Sequence, residues 1–62
     1  MTQLIKMKNR VIKILVADDH TLFRQGIIRL LEDNNEFSIA AEAENGIELI
    51  EMYFNFNPDI IL

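Results

Sequence analysis

The sequence VIKILVADD at positions 11–19 joins a run of apolar, largely β-branched residues to two adjacent carboxylates. The run from Val11 to Ala17 has the length of a strand. Its nearly continuous hydrophobicity is typical of a strand buried on both faces, as in a parallel sheet. We therefore predict a first strand over residues 11–17, followed at once by Asp18 and Asp19.

A helix is predicted after these acids, from Thr21 to about Asp33. The apolar residues that recur at helical spacing are Phe23, Ile27, Leu30 and Leu31. The polar residues assigned to the opposite face are Arg24, Gln25, Arg29 and Glu32. Such a stripe predicts an amphipathic helix that packs its apolar side on a sheet.

A second strand is predicted over residues 37–43, FSIAAEA. It is less hydrophobic than the first strand, so we expect it at an edge of the sheet. A second helix then begins at Gly46, with Asn45 as its N-cap and Glu48 three residues later, in the manner of a capping box. Its expected apolar stripe consists of Ile47, Ile50 and Phe54.

The second helix is expected to end before Pro58, because a proline disfavours helical angles in the residue that precedes it. A third strand begins at residues 59–62, DIIL. The order β-α-β-α-β predicts an α/β fold, a partial doubly wound parallel sheet with right-handed crossovers.

We divide the chain into a polar N-terminal leader, residues 1–10, and one truncated domain, residues 11–62. The truncation is inferred from Ile60, Ile61 and Leu62, which resemble the front of a central strand whose remainder is missing.

Composition excludes several classes of protein. The 62 residues allow one small domain, and the absence of cysteine rules out disulfides and thiolate metal sites. The net charge is −4 and all basic residues lie at or before Arg29, so no basic stripe is present that could follow a nucleic-acid backbone. Since no apolar stretch approaches the ~20 residues of a membrane span and no signal peptide is evident, we expect a cytoplasmic protein without membrane contact.

Asp18 and Asp19 are the strongest candidates for a functional site. They follow the first strand at its carboxyl end, which is where ligands bind in open α/β sheets. Two adjacent carboxylates favour a hard cation such as Mg²⁺, which takes oxygen ligands and often bridges carboxylates to a phosphate. The alternative is structural: either acid could cap the helix that begins near Thr21, where negative charge is favourable.

Other polar residues carry weaker signals. His20 follows the two acids, but no serine, cysteine or second histidine is placed to work with it, so we interpret it as a turn residue at a helix start. The acids interpreted as a solvated face are Glu42, Glu44, Glu48 and Glu51.

Three stretches together resemble response-regulator receiver domains, particularly those joined to LuxR-type helix-turn-helix DNA-binding domains. IKILVADDHTLFRQGIIRLLE (residues 12–32) resembles the opening of such a domain. AEAENGIELIE (residues 41–51) resembles the passage from its second strand to its second helix, and NPDIIL (residues 57–62) the lead into its third strand. The order and spacing of the three stretches are specific, and the resemblance covers Val11 to Leu62.

The resemblance implies the first half of a flavodoxin-like sheet with strand order 2-1-3-4-5. It further implies that the intact protein accepts a phosphoryl group from a histidine kinase on an aspartate, with Mg²⁺ bound, and controls transcription. By position, Asp19 matches the likelier direct ligand of Mg²⁺, and Asp18 matches an acid acting directly or through water.

The phosphoacceptor aspartate of the family is expected two positions beyond Leu62. Asp59 is not a substitute, because it begins its strand and should lie roughly 15 Å from the acid pair along the strand direction. We therefore expect no catalytic residue and no enzyme activity in these 62 residues, and a Mg²⁺ affinity that is weak or absent. An exposed third strand should also cause self-association.

Two other interpretations remain open. The chain could be a small interaction module, a degenerate receiver that acts by binding without phosphorylation. It could also be a phosphatase-like enzyme, although such enzymes usually separate their two strand-end acids by one residue, whereas Asp18 and Asp19 are adjacent.

Overall fold

A computed structural model describes residues 11–62 of the chain. In chain order its elements are β1 (Ile12–Ala17), α1 (Thr21–Glu32), β2 (Phe37–Ala43), α2 (Gly46–Phe56) and β3 (Ile60–Ile61). All five predicted elements are present, with bounds within about one residue of those expected from the sequence. The leader predicted for residues 1–10 lies outside the described residues.

The three strands form one parallel sheet in the order β2-β1-β3. β1 is central, and β2 lies at an edge, as its lower hydrophobicity predicted. Within residues 11–62 the two helices do not contact each other. The connection from β1 to β2 runs in one direction across the sheet, and the connection from β2 to β3 runs back in the other. Because both crossovers are right-handed, α1 and α2 lie on opposite faces of the sheet. The predicted partial doubly wound α/β sheet is confirmed.

β1 supplies most of the core. Ile14, Leu15 and Val16 are each no more than 2% exposed, although successive side chains of a strand point to opposite faces. Ile14 and Val16 pack with Ile28 of α1, which leaves Leu15 on the face that α2 covers. The prediction that the first strand is buried on both faces is therefore correct.

β2 contains one extra residue, Ala40. In the pairing of β1 with β2, Ile14 lies opposite Ile39 but the next residue, Leu15, lies opposite Ala41. Because strand side chains alternate, this bulge reverses which side of β2 faces α1. Glu42 consequently lies level with Val16 and on the α1 side of the sheet.

α1 presents to the sheet a face that only partly matches the predicted stripe: Ile27 and Leu31 pack against the core as predicted. Arg24 and Ile28 are its buried residues, whereas Phe23 and Leu30 of the predicted stripe are exposed. The predicted face is therefore displaced by about one residue around the helix. The pattern assigned Arg24 to solvent because it is charged, but the aliphatic part of an arginine can pack in a core when its guanidinium has hydrogen-bond partners.

α2 also turns its predicted stripe outward. Ile47, Ile50 and Phe54 are exposed, while Leu49 and Met52 are half-buried. This helix carries apolar residues on nearly every side, so periodicity could not choose between its faces. Neither helix, nor any other in residues 11–62, has the length and hydropathy to span a membrane.

The start of α2 matches the predicted cap, with one difference. The Asn45 side chain accepts a hydrogen bond from the backbone N–H of Glu48 at 2.8 Å. The Glu48 carboxylate reaches back to the N–H of Glu44 at 2.9 Å, one residue further than in the standard capping box. Both side chains thus bind free backbone N–H groups near the helix start.

The end of α2 depends on Asn57, which precedes Pro58. Asn57 adopts left-handed angles, φ 48° and ψ 60°, and its N–H donates to the carbonyl of Tyr53. Asparagine tolerates this conformation better than most residues other than glycine. The chain then enters β3, with Asp59 beside Lys13.

Replacing Asn57 tests this helix end. We expect Asn57→Ala to lower the free energy of unfolding by about 1 kcal/mol, because alanine is strained at positive φ, and Asn57→Gly to change it by less than about 0.5 kcal/mol. Urea unfolding followed by circular dichroism measures both variants. Equal stability of the alanine and glycine variants would contradict the left-handed cap.

Candidate metal centre

Asp18, Asp19 and His20 form an acid loop between β1 and α1. It lies at the carboxyl end of β1, the central strand of the order β2-β1-β3. A carboxylate oxygen of each aspartate and a ring nitrogen of His20 all lie within 4.8 Å of one another. The structure thus brings together the two acids that the sequence predicted and adds His20 to them.

Asp18 is held by three of its polar groups. Its carboxylate Oδ1 accepts the N–H of His20 at 2.7 Å, which closes a turn just before α1. Its own N–H donates to the carbonyl of Ala43 at the end of β2, and its carbonyl accepts from Arg24. The Asp18 side chain is 26% exposed and that of Asp19 is 80% exposed. Asp18 is therefore the fixed member of the pair.

Neither acid caps α1 in the way that the structural alternative proposed. The N-cap residue of α1 is His20; no side-chain cap hydrogen bond is formed there, and no acid lies in the first turn. Asp18 instead orders the turn that precedes the helix. This leaves Asp19 without a structural role at the helix start.

His20 is a turn residue at the helix start, as predicted, but it also contacts both acids. Its Nδ1 lies 3.0 Å from Oδ1 of Asp19 and 3.3 Å from Oδ1 of Asp18. A cation bound by both carboxylates would compete with the imidazole for these same oxygens. The sequence analysis did not predict these contacts, although the three residues are adjacent in the chain and their adjacency could have indicated them.

Arg24 is the residue of the site that the sequence analysis missed. It is 8% exposed, and its Nη1 donates to the Asp18 carbonyl at 2.5 Å. Its Nε donates to Oε1 of Glu42 at 3.0 Å, the same oxygen that accepts from Gln25 at 2.9 Å. Glu42 is exposed, as the interpretation of a solvated face predicted, with 42% of its side chain accessible, but the bulge in β2 also turns it toward α1, where it pairs with Arg24.

Asp59 lies at the other end of the sheet, as expected. Its N–H donates to the carbonyl of Lys13, and its carboxylate accepts the N–H of Lys13 at 2.8 Å. At the carboxyl end, by contrast, the carbonyl of Leu62 accepts the N–H of Ala17. The direction of β3 thus leads away from Asp59 and toward the acid loop.

Sequence comparisons find regulatory proteins. The chain is 43% identical over 51 residues to the transcriptional regulatory protein DegU of Brevibacillus brevis, covering 82% of this chain and 22% of that protein. It is 42% identical over 50 residues to the transcriptional regulatory protein YdfI of Bacillus subtilis, covering 81% of this chain and 24% of the relative. It is also 42% identical over 50 residues to the chemotaxis protein CheY of Halobacterium salinarum, covering 81% of this chain and 40% of that protein.

The chain is homologous to response-regulator receiver domains. This homology confirms the resemblance seen in the sequence of residues 11–62, the receiver segment. Several relatives are named as regulators, and others include two protein-glutamate methylesterase/protein-glutamine glutaminases. The receiver segment spans between 22% and 40% of the length of the three relatives described above. No family model matches it, and no solved structure matches it significantly.

The turn held by Asp18 can be tested with two variants that remove the same charge. Asp18→Asn keeps an oxygen that accepts the His20 N–H, whereas Asp18→Ala loses it. We expect the alanine variant to be less stable than the asparagine variant by about 1 kcal/mol. Urea unfolding without added divalent cations measures the difference. Equal stabilities would show that the turn does not depend on this bond.

Proposed function

We propose that the receiver segment holds Mg²⁺ with Asp19 and Asp18, and that the longer protein accepts a phosphoryl group beside this site. The observation that carries the proposal is the place of the acid loop. It lies at the carboxyl end of the central strand of a parallel sheet in the order β2-β1-β3, the place where open α/β sheets bind ligands.

The strand register supports a phosphoacceptor two positions beyond Leu62. β1 and β3 pair in parallel, with Ile14 opposite Ile60 and Leu15 opposite Ile61. Continued at the same register, the second residue after Leu62 lies level with Asp18. An aspartate there would share the carboxyl end of the sheet with the acid loop, which phosphoryl transfer assisted by Mg²⁺ requires.

The residues of the acid loop suit Mg²⁺. Both acids offer carboxylate oxygens, the hard ligands that this ion prefers. Asp19 is the better candidate for direct contact because its side chain is largely exposed, whereas one oxygen of Asp18 already accepts the N–H of His20. Asp18 would act directly or through water. When bound, the ion supplies positive charge against the oxygens of a phosphoryl group.

The same proposal implies a histidine kinase as phosphodonor for the longer protein, control of transcription and a cytoplasmic location. Direct binding of nucleic acid by this segment is not proposed. Of the basic residues that the structure describes, Arg24 is buried and bound to Glu42. Lys13 and Arg29 alone do not form the basic stripe that a phosphate backbone needs.

Magnesium binding distinguishes this proposal from the binding-only module, which no observation on this chain favours. We expect Mg²⁺ to shift the backbone amide NMR signals of residues 18–20, with an affinity that falls at least about tenfold in Asp19→Asn because a ligand charge is lost. Asp33→Asn, at the far end of α1, is the matched control and should bind as the unmodified chain does. A Mg²⁺-dependent shift that Asp19→Asn leaves unchanged would contradict the assignment of Asp19 as a ligand.

Self-association of the 62-residue chain is proposed through β3. Ile60, Ile61 and Leu62 are 41–53% exposed, and β3 pairs on one side with β1. An apolar strand with an open edge is a template for pairing with a second copy.

A charge on the strand edge tests this association. Ile61→Lys should lower the mean molar mass measured by size exclusion with light scattering, because lysine on an edge strand opposes strand pairing. Ile50→Lys makes the same chemical change on the exposed face of α2 and should leave the mass unchanged. If both variants disperse the assembly equally, or the unmodified chain is a monomer, β3 is not the interface.

A further inference from the structure

Arg24 makes an unusual set of contacts for a charged residue that is almost fully buried. Its backbone N–H makes the first helical hydrogen bond of α1, to the carbonyl of His20, as any residue at this position would. Its side chain adds a second contact, because Nη1 donates to the carbonyl of Asp18, the residue directly before Asp19.

We infer that Arg24 is the positioning residue of the acid loop, fixing where Asp18 and Asp19 stand over the carboxyl end of β1. It touches neither carboxylate in the contacts of residues 11–62 and acts through the backbone that carries them. Its role in cation binding rests on the function proposed above, whereas its hold on the loop does not.

Glu42 sets the orientation of the guanidinium. Its Oε1 accepts from Nε of Arg24, while Nη1 points to the Asp18 carbonyl. Since the guanidinium is planar and its donors form a rigid fork, fixing Nε on Glu42 also fixes the direction of Nη1. We call the contacts of the Arg24 guanidinium with Glu42 and the Asp18 carbonyl the Arg24 clamp. The clamp joins the edge strand β2, the helix α1 and the loop that follows β1.

The charge of Glu42 also keeps the acid pair available. An arginine beside two carboxylates would ordinarily pair with one of them, because charge-assisted hydrogen bonds to carboxylates are strong. Here the guanidinium is paired with Glu42 and a backbone carbonyl. The carboxylates of Asp18 and Asp19 are left facing His20 and solvent, where a cation can reach them.

The test combines Mg²⁺ titration with amide hydrogen exchange of the cation-free chain. In Arg24→Met, which keeps the apolar stem, we expect Mg²⁺ affinity to fall about tenfold, the usual effect of losing a residue that orients a metal ligand. The amides of Asp18 and His20, which donate to the Ala43 carbonyl and to the Asp18 carboxylate, should lose protection in the same variant. Arg24→Lys, which keeps the charge and one donor group, should recover part of both.

Ile28→Ala is the matched control. Ile28 lies on the same buried face of α1 and packs with Ile14 and Val16, so this variant loses stability without touching the loop. Its Mg²⁺ affinity should stay within about twofold of the unmodified chain if measured while the chain is folded. An equal loss of affinity in Ile28→Ala would show that Arg24 acts only through stability, which overturns the inference.

Other outcomes also decide the question. Unchanged loop exchange and unchanged affinity in a folded Arg24→Met variant overturn the inference. Should that variant fail to fold, Glu42→Ala, which removes the oxygen that holds Nε of Arg24, serves instead, and wild-type exchange and affinity in it have the same meaning. Mg²⁺ binding that Asp19→Asn leaves unchanged would count against the proposed function, whereas the exchange of the Asp18 and His20 amides decides, with or without measurable Mg²⁺ binding, whether Arg24 positions the loop.

Discussion

The buried guanidinium of Arg24 is the constraint on which the arrangement of α1, β2 and the acid loop depends. A charged group can leave water only if its donors are satisfied, and the partners here are Glu42 and the Asp18 carbonyl. Leaving the buried guanidinium without its partners costs on the order of a few kcal/mol. That requirement fixes the rotation of α1 about its axis.

The rotation has a visible cost in apolar surface. With Arg24 and Ile28 turned to the sheet, Phe23 and Leu30 are left exposed. Exposed apolar residues are common on proteins, whereas an unpaired buried charge is rare, so the polar requirement prevails. The bulge at Ala40 follows the same logic, since it gives up regular pairing in β2 and brings Glu42 to the α1 side.

The fold was predictable because its signals are local or periodic. The continuous apolar run of β1, the Asn45 cap and Pro58 each specify an element or its boundary without reference to the rest of the chain. The acid pair was found for a similar reason, since its place at the end of a buried strand follows from the strand itself.

The helix faces and the Arg24 clamp were not predictable in this way. Their determinants lie in other elements: Arg24 depends on a carboxylate that a bulge in β2 turns toward it, and no pattern of hydrophobic spacing contains that information. α2 is apolar on nearly every side, so its sequence is compatible with several rotations. Long-range polar contacts and strand irregularities account for what the sequence left open.

The central place of β1 has a consequence for the order in which the molecule is assembled during synthesis. β1 is made first, yet its two neighbours are made later, and β3 comes only at the far end of the described chain. In the nascent chain, β1, α1 and β2 can pack together before β3 has been synthesised. The edge of β1 that pairs with β3 is then still without its strand partner. Contacts between residues that are distant in the chain form slowly. We therefore expect the chain to be most prone to aggregation on the ribosome during the interval in which this edge of β1 is unpaired.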